Sequence, residues 1–163
     1  MARADSKVLS KTLGRALSGK DAHVEVLKAV EGLDWRIAGK RPDGFPHSIF
    51  QLLNHIVYWQ EWMVKWLDGD KPAAPKHASG SWPGGTEPAN SEEWAQARRR
   101  LGKAIDALTR RCGEGDPLSK RGRKSRIEML QTIALHTSYH VGQVVQLRQV
   151  LGVWPPPFGG VTW

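Results

Sequence analysis

Apolar residues recur every three to four positions along most of this chain, a spacing that places them on one face of a helix. The clearest case is a stripe of five large apolar side chains, Leu52, Ile56, Trp59, Met63 and Leu67. No stretch carries a strand signal, in which apolar and polar residues alternate strictly. The pattern therefore predicts an all-α chain.

Capping motifs and glycines divide this pattern into four helical regions. Ser48 and Ser125 each begin a capping box, with Gln or Glu three residues later, so that two side chains satisfy free backbone amides at a helix start. We expect Gly19 to break or bend the first region and Asp21 to cap its second piece. The predicted regions are residues 6–33, 48–70, 90–113 and 125–152.

Residues 70–90 form a long connection rich in proline and glycine. A loop of more than about 15 residues in a compact domain is functional or mobile, and this one either folds over a pocket or spans the length of the molecule. Four long helices and one crossover-length loop predict a four-helix bundle. We expect residues 1–163 to form a single domain of this kind.

The composition is typical of a globular protein, with 40% hydrophobic and 25% charged residues in 163. The single cysteine, Cys112, excludes an internal disulfide, and no segment has the roughly 18–20 consecutive apolar residues of a membrane span. We therefore expect a cytoplasmic protein without a membrane partner. The net charge is +8, but basic runs such as residues 120–126 lack interleaved aromatics, so we interpret them as solvated surface rather than as a nucleic-acid interface.

Three histidines are the candidate functional residues. His136 and His140 are four residues apart in the last helix, so their Cβ atoms lie on one face, about 6 Å from each other. That face includes Ile133 and Gln143, and it is expected to point inward. His55 stands in an apolar stripe of the second helix, where a buried imidazole needs a polar partner. The pattern predicts one divalent metal ion bound by His55, His136 and His140, with open positions that are typical of a reactive site.

Other interpretations of these residues remain open. A pair of histidines at this spacing is common on solvated helices, and a lone histidine such as His55 is often a core residue bonded to a carbonyl. The metalloprotease motif HExxH is absent, because Thr137 stands where its glutamate base would be. Of the remaining histidines, His23 and His47 are expected to be surface or capping residues, and His77 lies in the long loop.

The chain resembles the DinB family of DinB/YfiT-like metalloenzymes. The resemblance rests on Leu52-Leu-Asn-His55, on His136-Thr-Ser-Tyr-His140-Val-Gly-Gln143 and on Leu147-Arg-Gln-Val-Leu-Gly152. It implies a four-helix bundle with His55, His136 and His140 as ligands of zinc or nickel, and it implies a homodimer. Some members of the family are S-transferases that use a low-molecular-weight thiol, bacillithiol or mycothiol, whereas many have no established reaction.

The leading functional hypothesis is a metal-dependent enzyme, a thiol-dependent S-transferase acting on a small-molecule substrate. Gln143 is the candidate for orienting a ligand imidazole or holding a metal-bound water, and no catalytic residue is assigned. The basic loop at residues 120–126 is a candidate for attracting an anionic cosubstrate. Two alternatives stand beside this hypothesis: a metal-dependent hydrolase, and a non-catalytic metal-binding or interaction module.

Overall fold

The computed structural model describes residues 3–20 and 22–159, and this part of the chain is mostly helical. The helices in it are α1 (Arg3–Ser18), α2 (Val26–Ala29), α3 (Trp35–Ala38), α4 (Ile49–Leu67), α5 (Ser91–Cys112) and α6 (Arg126–Val150). A short 3-10 turn, Ala78–Ser81, lies in the connection between α4 and α5. The prediction of an all-α fold is confirmed.

The capping residues set the starts of the three longest helices. The Ser48 hydroxyl accepts a hydrogen bond from the backbone amide of Gln51 at 3.2 Å, and Ser125 accepts one from Glu128 at 3.4 Å. At both starts the second side chain bonds back to the cap amide, so both predicted capping boxes are present. At the start of α5 the side-chain oxygen of Asn90 accepts a hydrogen bond from the backbone amide of Glu93 at 2.9 Å. These three helices therefore begin where the sequence predicts.

The first helical region departs most from the prediction. α1 ends at Ser18, because Gly19 has a φ of 82°, in the left-handed region that glycine tolerates. A Cβ at Gly19 would also lie 2.5 Å from the ring of His23. The rest of the region is not one helix but the four-residue helices α2 and α3. Asp21, the predicted cap, lies outside the described residues.

The expectation of a chain without strands was wrong at one place. Lys120–Arg121 and Lys124–Ser125 form two short antiparallel strands, β1 and β2, joined at Gly122, which has a φ of 64°. Two-residue strands are too short to produce an alternating pattern in the sequence. The guanidinium of Arg121 donates to the carbonyls of Trp66 and Gly69, so the hairpin closes the carboxyl end of α4.

The hydrogen bonds between helices give their directions. Gln60 donates to Thr137 midway along α4, and Arg126 at the start of α6 donates to the last residue of α4, so α6 runs antiparallel to α4. Arg100 binds Glu61, and Arg111, further along α5, binds Asp68 at the end of α4. α5 therefore runs parallel to α4.

α1 completes a ring of four helices, in which it packs against α5 and α6, and α4 packs against the same two helices. Ser10 donates to the carbonyl of Cys112, and Gly14 lies beside Thr109, so α1 runs antiparallel to α5. Because α4 and α5 are parallel, residues 68–90 must return along α4, whose 19 residues span about 28 Å. This connection is the crossover that the sequence predicted.

Two groups of buried apolar side chains fill the bundle. One group includes Leu52, Leu53 and Val144, and the other includes Met63 and Ile133. On α6 the second group ends at Ala134 and the first begins at Val141, so His136 and His140 lie at the level where the two groups meet. The site is therefore held between two packed layers.

A buried arginine connects the carboxyl end of α6 to the rest of the fold. Only 2% of Arg148 is exposed. Its guanidinium donates to the carbonyls of Ala29 at 2.9 Å, Glu31 at 2.8 Å and Val153 at 2.9 Å. No carboxylate bonds to this guanidinium in the described part of the chain, and burial lowers the pKa of Arg148. Arg148 thus joins α2, α6 and the segment after α6.

None of the helices in the described part of the chain combines the length and apolarity that crossing a lipid bilayer requires.

Candidate metal centre

The structure brings the three predicted histidines together. His55 projects from α4, and His136 and His140 project from successive turns of α6. One nitrogen from each ring lies within 4.8 Å of the other two, a separation that is suited to one metal ion. The Nε2 atoms of His55 and His136 are 3.2 Å apart. In the described residues this group contains histidines only, without a carboxylate.

The loop between α4 and α5 fixes the ring of His55. Its Nδ1 lies 3.1 Å from the carbonyl oxygen of Ser81, and because a carbonyl only accepts, Nδ1 carries the proton. The Nε2 lone pair of the neutral ring therefore faces the other two histidines. The indole of Trp82 stacks on the same ring, with centroids 3.9 Å apart. His55 is 6% exposed, so it is shielded from water.

Gln143 orients His140 from one turn further along α6. Its Oε1 lies 2.7 Å from Nδ1 of His140, which places the proton on Nδ1 and leaves Nε2 free as a ligand atom. The amide nitrogen of Gln143 donates to the hydroxyl oxygen of Tyr139 at 3.4 Å, which favours this orientation of the amide. Partners of this kind fix the tautomer of a histidine that binds metal.

The hydrogen-bonding groups of the His136 ring are incompletely satisfied. Among the residues that the structure describes, its buried Nδ1 has no hydrogen-bond partner, and its Nε2 meets only Nε2 of His55. Polar burial without a partner costs roughly 1–3 kcal/mol. A divalent cation between the rings would accept the lone pairs of the facing Nε2 atoms of His55 and His136, so the residues present fit such an ion.

Burial keeps the three imidazoles neutral. Desolvation is the largest cause in each case, and it lowers the pKa of His55 and of His136 to about 4 and also lowers that of His140. The rings additionally disfavour one another's protonation. Since a metal binds the neutral imidazole, the lone pairs are available at neutral pH without the removal of protons.

These pKa shifts predict how the stability of the metal-free protein depends on pH. In the unfolded chain the histidines bind protons near pH 6.5, whereas in the folded chain His55 and His136 do so only near pH 4. The unfolded state therefore binds more protons between these values, and the free energy of unfolding should fall as the pH is lowered from about 6.5 to about 4. Urea titrations across this range measure it. A His136→Phe variant should show a shallower decline, and an unchanged slope would contradict the assignment.

Trp82 and His47 form a cover over the site; the sequence indicated that the loop could fold over a pocket, but not that Trp82 stacks on His47. The two rings stack with centroids 3.6 Å apart, so that Trp82 lies between His47 and His55. His47 was expected to be a surface or capping residue, but its Nδ1 is buried, and burial lowers its pKa. The crossover therefore has both proposed roles: it spans the bundle and also covers the site. The one signal in the sequence was a tryptophan within a loop of unusual length.

A pocket of about 270 Å³ adjoins the cluster. Its lining includes the apolar side chains of Phe45, Leu52 and Leu147, together with His47 and Gln143. Gln143 also bonds to His140, so one side chain links the pocket to the histidine cluster. His55, His136 and His140 do not line this pocket themselves; it reaches the cluster through Gln143 and His47.

The remaining candidates lie elsewhere. His23 bonds to Ser138 and to the carbonyl of Val24, and His77 is exposed in the crossover, so neither joins the cluster. Thr137, at the position of the missing HExxH glutamate, is buried and accepts a hydrogen bond from Gln60. Burial raises the pKa of the Cys112 thiol to about 11, which disfavours its thiolate form and therefore a role as a nucleophile.

The basic loop is not placed to meet a molecule at the histidine cluster. Arg121 and Arg126 donate to carbonyls at the ends of α4 and α5. Ten residues of α6 separate Arg126 from His136, a distance of about 15 Å along the helix. These two side chains therefore close helix ends instead of facing the site.

A family model described as the DinB superfamily matches residues 20–144. The chain belongs to the DinB superfamily. Neither a curated protein nor a solved structure matches the sequence. The matched range contains His55, His136, His140 and Gln143, so the superfamily assignment covers the whole cluster and the side chain that orients it. A DinB superfamily domain with three converging histidines is compatible with a metal-binding protein.

The contact between Gln143 and His140 predicts a measurable effect in this DinB superfamily protein. Gln143→Met removes the acceptor of the Nδ1 proton, and losing such a partner typically weakens metal affinity about 10- to 100-fold. Competition titrations of Zn²⁺ against a chromophoric chelator measure this change. Gln131→Met, on an exposed turn of the same helix, should leave the affinity unchanged. Equal affinities for both variants and the parent would contradict the orienting role.

Proposed function

We propose that this chain is a metal-dependent enzyme in which His55, His136 and His140 hold one divalent ion, zinc or nickel. The observation that carries the proposal is the convergence of three neutral imidazoles, of which His55 and His140 are buried and His136 is half-buried. Three protein ligands leave at least one coordination position for another molecule, as in reactive rather than structural metal sites. We further propose that residues 1–163 act as one domain and that the enzyme works in the cytoplasm.

The reaction that we propose is thiol-dependent S-transfer. A bound divalent ion supplies Lewis acidity, which lowers the pKa of a coordinating thiol or water. In the overall reaction the thiol sulfur bonds to an electrophilic carbon, the leaving group departs with its electron pair, and the thiol proton passes to solvent. A thiol acidified in this way needs no carboxylate base from the protein, which agrees with a cluster made of histidines only.

The side chains around the cluster support transfer over hydrolysis. Glu61, the carboxylate on α4 that follows His55, binds the guanidinium of Arg100 at 2.8 and 3.0 Å and is therefore engaged elsewhere. Hydrolysis is more efficient when a general base assists the attacking water, and no carboxylate belongs to the cluster in the described residues. Trp82 and His47 shield one side of His55 from water, which disfavours hydrolysis further.

The remaining residues position the reactants. Ser81 and Gln143 hold the rings of His55 and His140 through their Nδ1 protons, so the geometry of the site is set before a substrate arrives. The pocket beside Gln143 offers apolar walls at Phe45 and Leu52 for the organic part of an electrophile.

Turnover with and without a thiol tests the reaction type. Metal-loaded, untagged protein is incubated with monochlorobimane and, in separate reactions, with cysteine, coenzyme A, bacillithiol or mycothiol. We expect thioether formation above the uncatalysed rate with at least one thiol, and its loss in His136→Ala. Release of chloride at the same rate without any thiol would assign hydrolysis instead. Metal binding without turnover of this electrophile or of ester substrates would favour the non-catalytic module.

A further inference from the structure

Gln60 is a polar side chain in the core of the bundle, outside the group of residues assigned to the metal centre. It lies on α4, five residues after His55, and none of its surface is exposed. The amide nitrogen of Gln60 donates to the hydroxyl oxygen of Thr137 at 3.2 Å. The amide oxygen, Oε1, is buried and accepts no hydrogen bond from the described part of the chain. Because an unpaired buried acceptor costs free energy, a glutamine at this position requires a reason.

One nitrogen of the histidine cluster complements this oxygen. Nδ1 of His136 is likewise buried and unpartnered among the described residues. The other unsatisfied buried side-chain atoms in the same part of the chain are nitrogens of His47 and Arg126, so Gln60 provides the acceptor in this set. Thr137, which bonds to Gln60, is the residue next to His136 in α6. The free oxygen and the free nitrogen therefore lie at the same level of the bundle.

The other two histidines show what His136 lacks. Nδ1 of His55 lies 3.1 Å from the carbonyl oxygen of Ser81, and Nδ1 of His140 lies 2.7 Å from Oε1 of Gln143. Each acceptor holds the proton on Nδ1 and leaves Nε2 as the ligand atom. Nε2 of His136 faces Nε2 of His55 at 3.2 Å, so a metal ion between them leaves the proton of His136 on Nδ1. That proton needs an acceptor.

We propose that Gln60 is a positioning residue of the metal centre, whose Oε1 accepts a hydrogen bond from the Nδ1 proton of His136 when Nε2 of that ring binds the ion. The inference rests on the proposed metal site and deepens it, because all three ligand rings are then fixed by an acceptor at Nδ1. The last torsion of a glutamine side chain is broad, so the amide of Gln60 can turn toward the ring without a movement of the α4 backbone. The acceptor also raises the basicity of the ligand nitrogen.

An amide suits this position better than a water molecule or a carboxylate. Nδ1 of His136 and Oε1 of Gln60 are both buried, so solvent reaches neither of them. A buried water typically makes about three hydrogen bonds, and these two atoms offer it only two. A carboxylate would be costly in the metal-free protein, because the cluster consists of histidines and offers no cation to pair with it.

Competition titration of Zn²⁺ against a chromophoric chelator tests the role of Gln60. Gln60→Met retains the length of the side chain but removes the acceptor, and it should weaken zinc affinity about 10- to 100-fold. Gln60→Glu retains an acceptor and should bind zinc at least as tightly as the parent. Thr137→Val is the matched control, because it breaks the same bond between Gln60 and Thr137 but leaves Oε1 of Gln60 in place. Its zinc affinity should equal the parent's.

The ring proton of His136 gives a readout that does not depend on any variant. In the zinc-loaded parent, the Nδ1 proton of His136 should be visible by NMR and should show a nuclear Overhauser contact with the side-chain protons of Gln60. In zinc-loaded Gln60→Met this proton should move upfield, because a proton that loses its hydrogen bond is more shielded. The Nδ1 protons of His55 and His140 should keep their shifts, which a general loosening of the core would not allow.

The outcomes separate this inference from the proposed function. If the parent binds zinc and Gln60→Met binds it equally well, Gln60 does not position His136. An equal loss of affinity in Thr137→Val, or a His136 ring proton without a contact to Gln60, would also overturn the inference and leave the metal site standing. A parent protein that binds no zinc would overturn the metal site itself. Thermal melts of the metal-free variants verify that the fold is retained, and the spectrum of the parent decides the matter if a variant does not fold.

Discussion

His140→Ala is expected to lower the affinity of the protein for Zn²⁺ by more than about 100-fold, because losing a ligand exceeds the 10- to 100-fold effect of losing its orienting partner. The substitution removes the imidazole whose Nδ1 is fixed by Gln143 and leaves two ligands on different helices. Competition titration of the metal-free protein measures the change. The reaction with thiol and electrophile should be lost in parallel.

His77→Ala provides the matched control for this substitution. His77 is exposed in the crossover and belongs to no cluster of potential ligands in the described residues, so its loss should change neither affinity nor stoichiometry. Thermal melts of both metal-free variants establish that the fold is retained. If His140→Ala bound zinc as tightly as the parent, the three-histidine assignment would be wrong.

Arg148→Met is expected to reduce the free energy of unfolding by about 3–5 kcal/mol. Methionine fills much of the same volume, but it leaves the buried carbonyl of Ala29 and the part-buried carbonyls of Glu31 and Val153 without their donor. An unsatisfied buried acceptor costs about 1–3 kcal/mol, and the two part-buried acceptors add smaller costs to it. Urea unfolding measures the loss.

Arg99→Met is the corresponding surface control. Arg99 makes a salt bridge to Glu92 in which both side chains are more than half exposed, and such pairs contribute at most about 1 kcal/mol. Arg148→Lys should be intermediate, because one ammonium group cannot reach all three carbonyls. A loss of less than about 1 kcal/mol for Arg148→Met would show that water takes the place of the guanidinium at these carbonyls. That result would contradict the conclusion that water is excluded from the site of Arg148.

Local signals in the sequence were sufficient to predict where the long helices α4, α5 and α6 begin. Ser48 and Ser125 each satisfy backbone amides within three residues, so the starts of α4 and α6 depend on neighbours that are visible in the sequence. The same holds for the pair His136 and His140, because helical periodicity alone places them on one face. Their convergence with His55 depends on how α4 packs against α6, which residue spacing does not determine. The assignment of His55 as the third ligand therefore rested in part on the family resemblance.

The features that the sequence did not reveal depend on contacts between distant residues. His47 and Trp82 are stacked although 35 positions apart, and nothing around either residue indicates the other. The contacts of Arg148 with Ala29 and Glu31 likewise join segments that are remote in sequence. The strands β1 and β2 were missed for a different reason: each has only two residues, so neither produces a periodic pattern in the sequence.

The metal content of untagged protein tests the central claim most directly. Protein purified without a histidine tag and without chelators is passed through gel filtration, and its metals are then quantified by mass spectrometry against the chain concentration. The arrangement of His55, His136 and His140 predicts close to one zinc or nickel ion per chain, and a strong reduction in His136→Ala. Protein that carries no stoichiometric metal and takes up none when zinc or nickel is added would contradict the account.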